Sequence, residues 1–292
     1  MFKIKVADMV IDYSCHHEPF FEHRLKEYAV KDEPAEMNMT YRVLDTVDLP
    51  EHTVLKKVND AFIGKANETG NLIMYLKSPR TGRVINYVEH NSDYTLNIAR
   101  TVHLKPTEKV PLTDCDREYL RSGSLFNDRL IFAGGSTLHG SCISFRGEGV
   151  VFSAPSGTGK STHTGLWKEV YGDEVRYVND DKPALREKDG VITAYGTPWS
   201  GKTELNSNIA VPLKAIVFVG RAEKNAMKKI SAAEAFCYLN DQTFPPFYDS
   251  ELARKNLDFI EKLIKSIPVY KLECNMTKDA ARLSCKTIFS VD

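Results

Sequence analysis

The chain has 292 residues, room for one large domain or two ordinary ones. Hydrophobic residues make up 42% and charged residues 27%, which is enough apolar matter to bury a core. Lys plus Arg equals Asp plus Glu at 39 each. That balance leaves no long-range field to gather nucleic acid or an anionic membrane, so any anion recognition has to be local.

Met1-Phe-Lys-Ile-Lys-Val-Ala-Asp8 lacks the apolar run of a signal peptide, and charges interrupt every apolar run further on. A cytoplasmic address is expected, with neither a membrane nor a nucleic acid as partner. The six cysteines (Cys15, Cys115, Cys142, Cys237, Cys274, Cys285) show no Cys-x-x-Cys spacing and read as reduced thiols, mostly small core residues. Cys15-His16-His17 reads as structural, because adjacent residues rarely point at one ion and nothing nearby completes a ligand set.

Residues 1–129 read as a β-rich N-terminal domain. Asn71–Lys77, Arg83–Glu89 and Tyr94–Arg100 are short strand-like runs separated by turn formers, which predicts an antiparallel meander, structural or gripping a partner. A short helix is predicted over Asp114–Arg121, capped by Thr113. Residues 130–292 read as a second, α/β domain. Cys142–Ser153 predicts two strands joined by a tight glycine-containing turn, then a glycine-rich loop, then a helix over His163–Val170 with Leu166 and Trp167 available for packing.

Val175–Asn179 is the next predicted strand. Ala215–Val219 is almost wholly apolar, as expected of a strand covered on both faces. Ser231 is placed as the cap of a helix over Ala232–Asn240, and Asp249 or Ser250 as the start of one reaching about residue 266. Leu252, Leu257, Ile260, Leu263 and Ile264 are expected on its core face. Val269–Glu273 is a late strand, and Thr277 is placed as the cap of a helix through Phe289. Strands alternating with helices predict an α/β core with a mixed sheet.

The chemistry concentrates at Ala154-Pro-Ser-Gly-Thr-Gly-Lys-Ser-Thr162. The P-loop pattern is Gly, four residues, then Gly-Lys-Ser/Thr; here Ala154 holds the first position. Ser156, Gly157, Thr158, Gly159, Lys160, Ser161 and Thr162 would form a cradle whose amides and helix N-terminus take the phosphates of ATP. Lys160 would bridge the outer phosphates and the Ser161 hydroxyl would ligate Mg²⁺. The loop follows the apolar strand Gly149–Phe152 and precedes a helix, the context this chemistry needs.

Such a cradle also needs a carboxylate at a neighbouring strand end. Asn179-Asp180-Asp181 ends the predicted strand roughly twenty residues downstream. One aspartate can face Mg²⁺ and the other an acceptor hydroxyl. In Gly196-Thr-Pro-Trp-Ser-Gly-Lys202, glycine and proline bracket a loop. It either closes over nucleotide or acceptor, with Lys202 near the transferring phosphoryl, or is a structural turn with Trp199 in the core.

Leu138-His139-Gly140, then Gly149–Ser161, then Val178-Asn-Asp-Asp181 together resemble the catalytic domain of HPr kinase/phosphorylase, across roughly residues 130 to 290. The resemblance implies a P-loop core related to phosphoenolpyruvate carboxykinase, ATP and Mg²⁺ as cofactors, and a hydroxyl-bearing acceptor on a peptide, protein or small molecule. It implies Lys160 on phosphate, Ser161 and Asp181 on the metal, Asp180 as general base and His139 near the transferred phosphate. Asp180 and Asp181 can exchange roles, and the same resemblance implies a homo-oligomer.

The chain departs from that family after Asp181, where Tyr195–Lys202 looks like a divergent HPr-kinase-like group found beside varied biosynthetic genes. The segments that clasp HPr are not recognisable. The expected activity is therefore transfer of the γ-phosphate of ATP to a serine-type hydroxyl other than that of HPr. The alternatives are a carboxykinase-like lyase and a non-catalytic nucleotide-binding regulatory module.

Overall fold

In the computed structural model, which describes residues 1–290, the chain divides into two compact units. One comprises Met1–Phe132 with Pro246–Ser250, the other Ala133–Pro245 with Glu251 onward. Both are mixtures of helix and sheet, and each sheet is mixed in direction. No helix among the described residues is long and apolar enough to cross a membrane.

The first unit runs β1 (Phe2–Val6), β2 (Met9–Ser14), α1 (Glu18–Leu25), β3 (Met37–Leu44), β4 (His52–Val58), β5 (Ala61–Ala66), β6 (Leu72–Lys77), β7 (Val84–His90), β8 (Leu96–Val102) and α2 (Asp114–Phe132). The eight strands lie in the order β1-β2-β3-β8-β7-β6-β5-β4. From β4 to β8 this is the expected antiparallel meander. β3, however, pairs in parallel with both β2 and β8, so the sheet as a whole is mixed. Parallel pairing needs a crossover, and α1 with the chain after it carries one of them.

One further difference has a local cause. The helix predicted to stop at Arg121 runs on to Phe132, because Leu125, Phe126, Leu130 and Ile131 continue its buried face past Gly123. Its start is as expected: Thr113 and Asp116 exchange hydrogen bonds in a reciprocal capping box, Thr113 N donating to Asp116 Oδ2 (2.8 Å) and Asp116 N to Thr113 Oγ1 (3.1 Å). The Cys15-His16-His17 segment is held by the fully buried Glu118, which accepts from Tyr13 Oη (2.9 Å), His16 N (2.7 Å) and His17 N (3.0 Å).

The second unit runs β9 (Gly135–Thr137), β10 (Gly140–Phe145), β11 (Glu148–Ser153), α3 (Lys160–Tyr171), β12 (Val175–Asn179), β13 (Ala184–Lys188), β14 (Val191–Tyr195), β15 (Ala210–Arg221), β16 (Ala226–Lys229), α4 (Ala232–Gln242), α5 (Ser250–Ser266), β17 (Val269–Cys274) and α6 (Lys278–Phe289). β10 and β11 form the expected hairpin, turning through Arg146 and Gly147 at φ 52° and 84°. Two positive φ values are those of a type I′ turn, whose twist suits the flanking strands. The long β15 binds the sheet together: its first residues pair with β14, and its later ones pair in parallel with β11 and β17.

Successive β15 residues point to opposite faces, and both faces are covered. Ile216 and Phe218 join Phe259, Ile260 and Leu263 of α5 and Leu239 of α4. Ala215, Val217 and Val219 join Trp167 of α3 and Ala281, Cys285 and Ile288 of α6. On α5 the core face differs at one predicted position. Leu257 is exposed, while Asn256 and Phe259 are buried. At 100° per residue, Leu257 lies roughly 140° around from Leu252, off the stripe that Asn256, Phe259, Ile260 and Leu263 complete.

Ser231 caps α4 as expected, accepting from Glu234 N at 3.2 Å. Thr277 sits at the N-cap of α6, but its hydroxyl donates to Asn275 Oδ1 at 2.8 Å, so it leaves the helix amides uncapped. Trp167 is fully buried, edge-on to Phe145, and its indole N–H donates to Ser284 Oγ at 3.0 Å. Trp167→Ala should therefore destabilise the chain by about 3–5 kcal/mol, through the cavity it leaves between α3, β10 and α6. Urea unfolding of the two forms measures this.

Candidate active site

Strand direction brings the predicted residues to one end of the sheet. β11, β15 and β17 run parallel, so their C-terminal ends lie side by side. β10 is antiparallel to both β11 and β12. Its N-terminal end, with His139 before it, therefore meets the C-terminal ends of β11 and β12. Ser153 leads into the glycine-rich loop, and Asn179 leads into Asp180 and Asp181. Ligands of open α/β sheets characteristically bind beyond such strand ends.

The loop turns through Gly157 at φ 78° and Gly159 at φ 124°, and α3 starts at Lys160. The φ of 124° at Gly159 is one that side-chain-bearing residues rarely adopt, and a Cβ there would also stand 2.6 Å from Met276 Cε and displace that side chain. Gly159 gives α3 no side-chain cap, which leaves its first amides for another acceptor. Arg221, at the end of β15, braces the loop from outside, donating to Thr158 O (2.9 Å) and Gly157 O (3.1 Å). Ser156, Gly157, Ser161 and Thr162 are exposed, and Thr158 and Gly159 half-buried. A cleft of about 640 Å³ opens beside the loop, between Thr162, Arg221, Asn275 and Met276.

Lys160 is buried, its ammonium folded onto the loop's own carbonyls at Ala154 O (2.9 Å) and Pro155 O (3.4 Å). Burial lowers its pKa, and the negative charges of Asp181 and Asp180 oppose that shift. The lysine and both carboxylates therefore share one electrostatic neighbourhood. His139 joins them: its Nε2 is 3.6 Å from Asp181 Oδ1 and its Nδ1 3.0 Å from Gln242 Oε1. Desolvation and then the Lys160 charge lower the pKa of the imidazole, which favours its neutral form.

The adjacent aspartates have different surroundings. Asp180 is buried, accepting from Ser141 Oγ at 2.5 Å and Thr203 Oγ1 at 2.9 Å. Asp181 is half-buried, with the loop around Gly201 against it; a Cβ on Gly201 would be 3.0 Å from Asp181 Cβ. Asn179 fixes the turn between them, its Oδ1 accepting from Asp181 N (2.8 Å) and Lys182 N (2.6 Å). Of the two readings of residues 196–202, the structural turn is what is seen: Trp199 is buried, and Gly201 packs against Asp181. Lys202 itself is exposed.

Ser141, Thr203, Gln242 and Arg221 carry the support for this cluster and had no sequence motif. Ser141 was reachable, because strand alternation puts it on the same side as His139. Thr203, Gln242 and Arg221 come from distant loops and element ends, which no spacing rule connects to the cradle. The fit at Gly159 is testable. Gly159→Ala should cost about 1–3 kcal/mol of stability from the positive φ and the Met276 contact. Adding Met276→Ala should restore part of that in a denaturation series, because it removes the contact and not the backbone strain.

No curated protein matches the chain. Among solved structures, the HPr(Ser) kinase/phosphatase from Coxiella burnetii is similar at 12% identity, covering 53% of this chain and 94% of that one with a TM-score of 0.30. At that score the likeness carries no argument. The model of one protein family, described as SynChlorMet cassette protein ScmC, matches residues 125–279, a span that holds the glycine-rich loop, His139 and the Asp180-Asp181 pair. The chain belongs to the ScmC family.

Proposed function

We propose that this protein is an ATP-dependent phosphotransferase of HPr-kinase-like type, moving the γ-phosphate to a serine-type hydroxyl of a peptide, protein or small metabolite. The observation that carries the proposal is the convergence of Lys160, Asp180, Asp181 and His139 where an uncapped helix follows a glycine-rich loop. A lysine, a carboxylate pair and unpaired amides in one place are what phosphoryl transfer requires, since positioning and charge neutralisation supply most of its acceleration.

In this reading the amides of residues 156–162 and the Lys160 ammonium hold the phosphates. The ammonium exchanges its loop carbonyls for phosphate oxygens, a stronger charge-assisted pairing. Ser161 and Asp181 offer the oxygen ligands that Mg²⁺ takes, and the ion when bound would neutralise charge on the transferring group. The cleft beside Thr162 and Arg221 receives the nucleoside. Asp180 orients and deprotonates the acceptor hydroxyl. Its two hydrogen bonds leave carboxylate lone pairs open, and Ser141 and Thr203 keep it aimed. Lys202 closes over the acceptor side from the loop that rests on Asp181.

Lys160→Ala should abolish transfer, because a fixed positive charge in such a site is worth several kcal/mol. Near-native ATP turnover by that variant would refute the assignment. The carboxylates should separate: Asp181→Asn weakens Mg²⁺-dependent nucleotide binding, and Asp180→Asn leaves binding intact and suppresses transfer. Equal, mild effects of both would reduce the pair to a solvated turn. Turnover measured side by side with HPr, free serine and serine-containing peptides addresses the acceptor. The expected result is transfer to a serine-like hydroxyl and little to HPr, and saturable transfer to HPr alone would reverse that expectation.

A further inference from the structure

The first unit holds a cavity of 320 Å³ that no part of the phosphotransfer reading uses. It lies under α2, against β3, β6, β7 and β8, and Leu76, Ile85, Leu112 and Leu120 give it apolar walls. Into this setting α2 brings two arginines four residues apart, Arg117 and Arg121, on one helix face. Both side chains are half-buried, and polar groups withdrawn from water are normally paired.

These two are poorly paired. Arg117 Nε is buried without a hydrogen-bond partner. Arg121 Nη2 reaches Asn86 Oδ1 only at 3.5 Å. The acids on the same helix give their hydrogen bonds to other groups, although Arg121 lies close enough to Asp128, and Arg117 to Asp116, to act on them electrostatically. Asp114 accepts from Leu104 N and faces His103, Asp116 closes the cap on Thr113, Glu118 holds Tyr13 and His16, and Asp128 accepts from Tyr248. Tyr41 completes the polar end of the cavity. Its phenol is kept protonated by burial, with Arg121 and Arg117 both close enough to act on it electrostatically.

We infer that this cavity binds a carboxylate carried on an apolar body, of the kind presented by the free C-terminal end of a peptide whose last residue is aliphatic. A guanidinium can take a carboxylate through two parallel N–H groups, and here the Arg117 and Arg121 guanidinium groups and the Tyr41 hydroxyl line one cavity as donors. The leucine and isoleucine walls give the rest of the ligand a place out of water and disfavour a fully hydrated inorganic anion. This assignment is independent of the phosphotransfer reading.

The test is calorimetric titration of the full chain with N-acetyl-leucine, N-acetyl-leucine amide and inorganic phosphate. The acid should bind saturably, and the amide and phosphate at least about tenfold more weakly. Arg117→Met and Arg121→Met should each weaken the acid about tenfold or more with the unfolding transition unmoved. Arg117→Lys and Arg121→Lys, which keep the charge and lose the planar fork, serve if the methionine variants fold poorly, and should also weaken it. Arg83→Ala, at an exposed arginine, should bind as the parent does. A leucine-terminated tetrapeptide binding more tightly than N-acetyl-leucine assigns a peptide end; equal or weaker binding assigns a small acid of the same chemistry. Equal binding of acid and amide, equal binding of phosphate, absence of acid binding, or indifference to all four arginine variants would each overturn the inference.

Discussion

The position of the Lys160 ammonium constrains the whole second unit. A lysine buried to this degree is stable as a cation only if oxygen atoms surround it, and here they come from two sources. The loop carbonyls of Ala154 and Pro155 take its hydrogen bonds, and Asp180 and Asp181 supply the compensating negative charge. That requires the end of β12 to lie beside the end of β11, although β10 separates the two strands. The antiparallel pairing of β10 with both neighbours meets this requirement, and it carries His139 and Ser141 to the same place.

The rest of the unit keeps this end of the sheet in register. β15 pairs in parallel with β11 on one side and β17 on the other, so Arg221 at the end of β15 and Met276 after β17 reach the loop from the same side and line one cleft beside it. Helices on both faces bury the strands that hold the site. Trp167 ties α3 to Ser284 of α6, so the helix that starts in the phosphate loop is anchored by its far end. A rigid scaffold of this sort matters for group transfer, where a misplacement of about 1 Å can cost roughly a hundredfold in rate.

The first unit shows a contrasting use of buried charge. Glu118 is fully satisfied by hydroxyl and amide donors and so orders the segment after β2. Arg117 and Arg121, one turn apart on the same helix, are half-buried beside a cavity, with the Arg117 Nε unpaired and Arg121 held only by a long contact to Asn86. A satisfied buried charge specifies a fold, while an unsatisfied one is a cost that a ligand can remove.

The sequence by itself determined the local features. The apolar run Ala215–Val219 has to be a strand covered on both faces. The order strand, glycine-rich loop, helix at residues 149–171 follows from composition and turn chemistry over a dozen neighbouring residues, as does the Thr113 cap of α2. Only the tertiary structure decided what depends on neighbours distant in the chain. The parallel pairing of β3 with β2 and β8 replaced a simple meander, because hydrogen-bond partners are chosen by crossovers that carry no periodic signal. The continuation of α2 past Gly123 was decided by a buried face whose reward outweighs the propensity cost of one glycine. The seating of Thr203 and Ser141 on Asp180, of Gln242 on His139 and of Arg221 on the loop was decided the same way. Those contacts join residues 23 to 103 positions apart, and a one-dimensional pattern cannot encode which element ends the packed sheet brings together.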